Sequence, residues 1–421
     1  MRRWNVLRLI LVALLGEIAL ATMNLSTMPL YLRDERHFGE GLVGVIIVGF
    51  LLSEAVFKGP FGHLADRIGP KKLMLIGPLL SVGTATLSLF VPMMNAAFGE
   101  VAIFFVLRLI DGVGSALLWP ALFVAVGSEL GDHERQEGLS YLNLCYMLGL
   151  ALAFPIGGGA NDLFGSKAAG LILAAVLFGA AALLVAFCVP DSKPVHHDDE
   201  AAHGQFNLKD FATSLRQIPQ FLILAFVTFM GIGFPLAIFK LFPIDQFGWT
   251  ESKVAILIAP GALALALLSV PVSKFGERIG RIKAVHVGML LCVIGLGVIS
   301  SGAFVPALRL WWILAVGAIP IGVGFLLAIP AWMASVSEID PRRRGVNIGA
   351  VMTAQGIGAI IGAPVGAKLY EALQPVGVNM GLGRDFGRYF PFVACGACIL
   401  VGFLLGLKIL HEPEPAPAVE A

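Results

Sequence analysis

Long apolar stretches separated by short charged gaps dominate this chain. Nine runs carry no Asp, Glu, Lys or Arg: 73–99, 138–161, 168–190, 217–239, 254–273, 284–308, 310–337, 345–367 and 389–407. Each has 19 or more residues, and about 20 residues of helix cross the ~30 Å of bilayer hydrocarbon. Three further runs are apolar but interrupted by charge: about 6–32 around Glu17, about 41–63 around Glu54 and Lys58, and about 101–128 around Arg108 and Asp111. The pattern predicts twelve transmembrane helices. Hydrocarbon offers the backbone no hydrogen-bond partner, so only helices or closed barrels span it, and runs this long exclude a barrel. The expected class is an all-α integral membrane protein. The first run is too long, and too closely followed by others, to be a cleaved signal peptide.

The charged gaps repeat. Residues 62–72 (GHLADRIGPKK), between the second and third helices, return in altered form at 274–283 (KFGERIGRIK), with the acid-Arg-Ile-Gly core displaced by 211 positions in a chain of 421. Phe38-Gly39 matches Phe247-Gly248 at 209, Pro120-Ala121 matches Pro330-Ala331 at 210, and Ser128-Glu129 matches Ser337-Glu338 at 209. Gly149, Pro155 and Gly157 match Gly358, Pro364 and Gly366, again at 209. So many matches in register, at different depths of the topology, point to duplication. Two pseudo-symmetric six-helix bundles are expected, at 1–190 and 219–410, the usual plan of a transporter built from repeats. The polar stretch 191–218 is expected to be a cytoplasmic linker, and 411–421, rich in Pro and Glu, a disordered cytoplasmic tail.

Composition strengthens the membrane reading. Hydrophobic residues make up 57% and charged residues 14%, against roughly 25% charged in an ordinary soluble domain. A net charge of +1 argues against a nucleic-acid partner. The distribution of charge says more. With both termini in the cytoplasm, eighteen of the 29 Lys and Arg fall on that side and seven outside, as the positive-inside rule requires. Cys395 and Cys398 form a CxxC, but without a second ligand pair they read as small apolar filler. The His- and Asp-rich tract 196–203 reads as solvated linker rather than as a metal site. No cofactor or metal is expected.

These features together resemble the major facilitator superfamily, over about residues 6–410. Its most specific motif lies between the second and third helices, and Gly62, Asp66, Arg67, Gly69, Lys71 and Lys72 fit it. The family's basic residue four positions after the acid is Pro70 here, whereas the second copy keeps Arg281 after Glu277, Arg278 and Gly280. The resemblance implies a cytoplasmic latch, with Glu129 and Arg135 at the end of the fourth helix and Glu338 and Arg344 at the tenth as partners. Arg108 followed by Gly112 and Gly114 resembles a motif linked to proton movement, with Asp111 where a neutral residue is usual. The glycine-rich fifth helix, Gly149 to Gly159, resembles in part the motif of drug–proton antiporters; Ala153 stands for a glycine and Pro155 falls one residue late.

Several residues stand out on physical grounds. Glu17 is the only charge between Leu9 and Leu32. A carboxylate at mid-membrane costs about 2.5–3.5 kcal/mol on insertion scales, so it is a functional candidate by default. Desolvation there favours the neutral acid, as a proton carrier needs. Arg108 is its expected partner, and Asp111 can pair with Arg108 one helical turn away. Glu54, four residues before Lys58, is a second proton candidate. Lys240 could attract an anionic substrate group or reach to the interface. Trp119, Tyr146, Phe154, Phe234, Phe325 and Trp332 could line an aromatic cavity.

The expected function is secondary transport by alternating access: proton-coupled export of a small apolar or amphipathic compound by a monomer in the cell membrane, with substrate, protons and lipid as its partners. Proton-coupled uptake of a sugar or organic anion, held by Arg108 or Lys240, is the alternative; lipid translocation between leaflets and a non-transporting sensor are others. No Gly-Lys-Ser/Thr phosphate loop supports an ATP-driven pump, and no enzyme chemistry is expected.

Overall fold

The helices follow the apolar runs, and their ends follow the glycines. In the computed structural model the described backbone covers residues 2–94, 99–129, 132–190, 218–339 and 344–410. Helix α1 runs Arg2–Ala21 and continues through π-helical turns at Thr22–Thr27 and Tyr31–Glu35. Then come α2 (Glu40–Ile68), α3 (Pro70–Phe90), α4 (Gly99–Glu129), α5 (Asp132–Phe164) and α6 (Ala168–Cys188). The second half contributes α7 (Pro219–Leu236), a short helix Leu241–Phe247, α8 (Glu251–Ile279), α9 (Arg281–Phe304), α10 (Trp311–Ile339), α11 (Arg344–Asn379) and α12 (Asp385–Ile409). Twelve long helices are thus present among the described residues, and eleven of them are long and apolar enough over those residues to cross a membrane. The twelfth is α8, of 29 residues.

The repeated phrase acts at a turn. Gly69 ends α2 with φ 89°, and Gly280 ends α8 with φ 93°. Side chains other than glycine's are strained at such a φ. The residue after each glycine is the first of the next helix, Pro70 in α3 and Arg281 in α9. Proline fits that position because its missing N–H would have no partner there and its φ suits the helix. The departure at Pro70 is therefore compatible with the turn itself.

Two compact units emerge among the described residues. One draws on 1–204, 233–267 and 360–391, the other on 205–232, 268–359 and 392–421. Segments 233–267 and 360–391, from the second half of the sequence, thus group with the first half. In the first unit α2 and α3 pack on α4, α3 on α6, and α1 on α5 and α6. In the second, α9 packs closely on α10.

The duplication is visible as contact geometry. A Cβ at Gly77 of α3 would stand 2.5 Å from the Gly114 carbonyl of α4, and one at Gly288 of α9 would stand 2.5 Å from the Gly324 carbonyl of α10. A Cβ at Gly149 of α5 would lie 2.6 Å from Glu17 Cβ on α1, and one at Gly358 of α11 would lie 2.5 Å from the Phe226 carbonyl of α7. Without a hydrophobic force between helices in lipid, small residues that let backbones touch supply the packing.

Candidate functional site

The polar core of the first unit is organised by Asn24. Residues 22–27 (TMNLST) carry unusually many polar side chains for an apolar run, and they form the first π-helical turn. Such turns recur at functional sites. Asn24 Nδ2 donates to Asp111 Oδ2 at 2.8 Å, and its Oδ1 accepts from Arg108 Nη1 at 3.0 Å. Arg108 Nη1 also reaches Asp111 Oδ2 at 3.2 Å, closing the expected pair one turn apart on α4. Thr84 on α3 donates to Asp111 Oδ1 at 3.3 Å. Both charged side chains have no exposed surface, so opposite charge and hydrogen bonds must offset their desolvation. The offset is incomplete, since Arg108 Nε and Nη2 have no partner among the described residues. Asn24 was legible only as part of a polar run.

Glu17 does not pair with Arg108, which differs from the expectation. Asn24 and Asp111 hold the arginine. Glu17, 4% exposed, instead accepts a hydrogen bond from Trp119 Nε1 at 3.0 Å. It has no ion pair among the described residues. Tyr146 packs edge-on against Trp119, ring centroids 5.4 Å apart. Glu17, Trp119 and Tyr146 thus form one group, supplied by α1, α4 and α5. Glu54 pairs with Lys58 as expected, at 3.0 Å, and accepts from Ser115 Oγ at 2.8 Å.

Lys240 neither reaches for solvent nor stands free for an anion. It is 2% exposed, and its ammonium donates to Glu251 Oε2 at 2.5 Å, to the Ser26 carbonyl at 2.5 Å and to Ser26 Oγ at 2.8 Å. Glu251, equally buried, also accepts from Lys167 at 2.5 Å and from Asn161 at 2.8 Å. Gly158 makes room for this carboxylate: a Cβ there would lie 3.1 Å from Glu251 Cβ. Nearby in sequence, Arg33 Nη1 donates to both Asp245 oxygens at 2.8 Å, and Tyr370 donates to Asp245 at 2.8 Å. These bonds tie first-half segments to 233–267 and 360–391. Glu251, Asp245 and Tyr370 carried no signal in sequence beyond ordinary polarity at helix ends.

The expected latch is only partly described. The side chains of Asp66, Arg67, Arg135, Glu277, Glu338 and Arg344 lie outside the described residues, as do the linker and the tail. Glu129 accepts from Asn5 at 3.2 Å. Lys72, Arg278 and Arg281 are exposed, and Gly62 faces Pro120 of α4, where a Cβ would stand 3.6 Å away.

Of the six aromatic candidates, Trp119, Tyr146, Phe154 and Phe234 belong to the first unit, and Phe325 and Trp332 to the second. Phe154 is buried against Phe239, centroids 5.9 Å apart, and Phe234 is buried beside Gly366. Phe325 is 40% exposed, while Trp332 is buried against Phe221 at 5.4 Å.

Comparison with known proteins accords with this architecture. The model of the Major Facilitator Superfamily matches residues 10–363 and 221–421. Multidrug resistance protein 2 of Bacillus subtilis is 24% identical over 97% of both chains. Quinolone resistance protein NorA of Staphylococcus aureus is 22% identical over 85% of this chain and 88% of its own. Among solved structures, the nucleoside transporter NupG superposes with a TM-score of 0.75 at 15% identity, over 97% of this chain and all of its own. A D-xylose-proton symporter does so with 0.75 at 14%, over 96% and 98%. Twelve long helices, a duplicated glycine framework and a family match across the whole chain agree: this protein belongs to the major facilitator superfamily and is a multi-pass membrane transporter.

Proposed function

We propose that this transporter exports small apolar or amphipathic compounds in exchange for protons, and that Glu17 carries the proton. The carrying observation is the buried Glu17 carboxyl, bonded to a neutral indole and not to a cation. A carboxylate so placed is stable when protonated and costly when ionised. Loss of its proton therefore favours whichever state opens it to water, and that preference is the means of coupling. Tyr146 and Trp119 offer the cargo an aromatic surface beside the acid. Resistance proteins among the relatives favour export.

The uptake reading meets competition at its anchor residues. Arg108 is engaged through Nη1 by Asp111 and Asn24, and Lys240 by Glu251 and Ser26, so an anionic cargo has to compete with these partners. The Lys240–Glu251–Lys167 and Arg33–Asp245–Tyr370 groups serve as latches of one gate, which must part when that gate opens. The repeated loops at 62–72 and 274–283 serve the opposite, cytoplasmic gate. Each six-helix bundle then moves as half of the alternating-access machine.

Proteoliposomes with an imposed pH gradient test the reading. The wild-type protein is expected to accumulate an amphipathic dye against its gradient only when protons flow the other way. Glu17→Gln is expected to keep downhill exchange and lose the pH dependence. Full pH-driven accumulation by Glu17→Gln would overturn the role of Glu17.

A further inference from the structure

We propose that Asn24 and Ser26 are positioning residues through which the Lys240 latch sets the buried Arg108–Asp111 pair: the latch holds one turn of the α1 continuation in π-helical form, and that form presents Asn24 to the pair. This rests on the reading of Lys240, Glu251 and Lys167 as a latch, and gives that latch an effect on side chains it does not touch.

The turn begins in the sequence. Pro29 lacks the N–H that the Leu25 carbonyl would receive in an α-helix, so the ladder is interrupted just after residues 22–27. The Met28 N–H bonds to the Met23 carbonyl, five residues back and not four. A second π-helical turn follows at Tyr31–Glu35. Each turn is gripped by one charged side chain from residues 240–245. Lys240 donates to the carbonyl and the hydroxyl of Ser26, and Asp245 accepts from Arg33.

The first turn also carries Asn24, whose two amide hydrogens are both used. Its Nδ2 donates to the Leu20 carbonyl at 3.1 Å and to Asp111 at 2.8 Å, while its Oδ1 accepts from Arg108 at 3.0 Å. A π turn holds one residue more per hydrogen bond than an α turn, so its relaxation rotates the side chains across it by about 100°. Asn24 cannot keep all three partners through such a rotation.

Two hydroxyls show that the π form is under load. Thr22 Oγ1 and Thr27 Oγ1, both in this turn, are buried without a hydrogen-bond partner among the described residues. In an α turn a threonine hydroxyl can bond back to the carbonyl three or four residues earlier. Left unpaired and buried, it is unfavourable. The grip of Lys240 on Ser26 opposes relaxation. When Lys240 lets go, the turn goes over to α and Asn24 leaves Arg108 and Asp111.

Hydrogen exchange of the full chain in nanodiscs, read by mass spectrometry, tests the coupling in two places: around the latch, at 155–167 and 240–252, and within α4, at 104–115. Lys240→Gln leaves Glu251 its bond to Lys167. It is expected to speed exchange in both places, by about fivefold at 104–115, the effect of one net hydrogen bond. Coupling is reciprocal, so Asn24→Leu is expected to speed exchange around the latch as well. The double variant is expected to exchange little faster than either single one, whereas independent sites would multiply their effects. Thr27→Val removes a hydroxyl that only the relaxed turn pairs, and is expected to slow exchange in both places. Faster exchange around the latch alone in Lys240→Gln keeps the latch and overturns the coupling; no change in either place overturns both. An unchanged latch in Asn24→Leu, multiplied effects in the double variant, or unchanged or faster exchange in Thr27→Val would also overturn the proposal. If Lys240→Gln does not fold, the Asn24 and Thr27 variants decide.

Discussion

Glu17 on α1 and Phe226 on α7 occupy equivalent places in the two halves, each beneath a glycine of the fifth helix of its bundle. The backbone solution is the same: Gly149 and Gly358 admit the facing helix to contact distance. The chemistry is not. The first place holds a buried acid with an indole donor from α4, the helix that also carries the buried Arg108–Asp111 pair. The second holds an aromatic residue, Phe226, whose backbone meets Gly358. Duplicated packing and diverged side chains teach that small residues carry the fold, while the side chains around them are free to differ between the halves.

The strongest test of that comparison removes a charge from the first half. Arg108→Ala leaves Asp111 buried without its cation, and about 3–5 kcal/mol of stability should be lost, read as a lower melting temperature and reduced folded yield. Asp111→Asn, which keeps an acceptor for Asn24 and Thr84, should be no less severe, because it strands the guanidinium. The converse experiment places an acid in the second half. Phe226→Glu should destabilise by about 2.5–3.5 kcal/mol, since no indole donor is placed there to receive it. If Phe226→Glu is tolerated and adds pH dependence to transport, the halves are closer to interchangeable than their present side chains suggest.

Substitutions of the shared framework should affect both halves alike. Gly77→Ala and Gly288→Ala each drive a methyl into a facing glycine carbonyl, and each should cost about 1–3 kcal/mol by thermal melting. A large effect at one and none at the other would show that the repeats no longer pack equivalently. Smallest are the turns: Gly69→Ala and Gly280→Ala should each cost about 1 kcal/mol, because both glycines hold a positive φ. Equal losses there are expected despite Pro70 in one copy and Arg281 in the other.

The repeat of 209–211 residues was legible because duplication leaves glycines and prolines where backbones touch or turn. The Arg108–Asp111 and Glu54–Lys58 pairs were legible because helical spacing alone brings them together. The partners of Glu17 and Lys240 were not. Trp119 lies 102 positions from Glu17, Asn24 lies 84 from Arg108, and Ser26 lies 214 from Lys240. Lys240 read either as a site for an anionic group or as a residue reaching to the interface, because its sequence neighbours do not reveal that Glu251 and Ser26 would bury it.

By itself the sequence determined the number and length of the helices, their class and the doubled plan, since hydrocarbon thickness and backbone hydrogen bonding act on each run locally. It also determined the turns at Gly69 and Gly280, where the need for a positive φ is local too. Only the tertiary structure decided which face of each helix turns inward and so which polar groups meet. In a soluble helix an apolar stripe marks the buried face, but lipid is as apolar as the protein interior, and that mark is largely erased. Glu17 could be placed at mid-membrane from its neighbours in sequence; that it would meet Trp119 and not Arg108 required the packing of α1, α4 and α5.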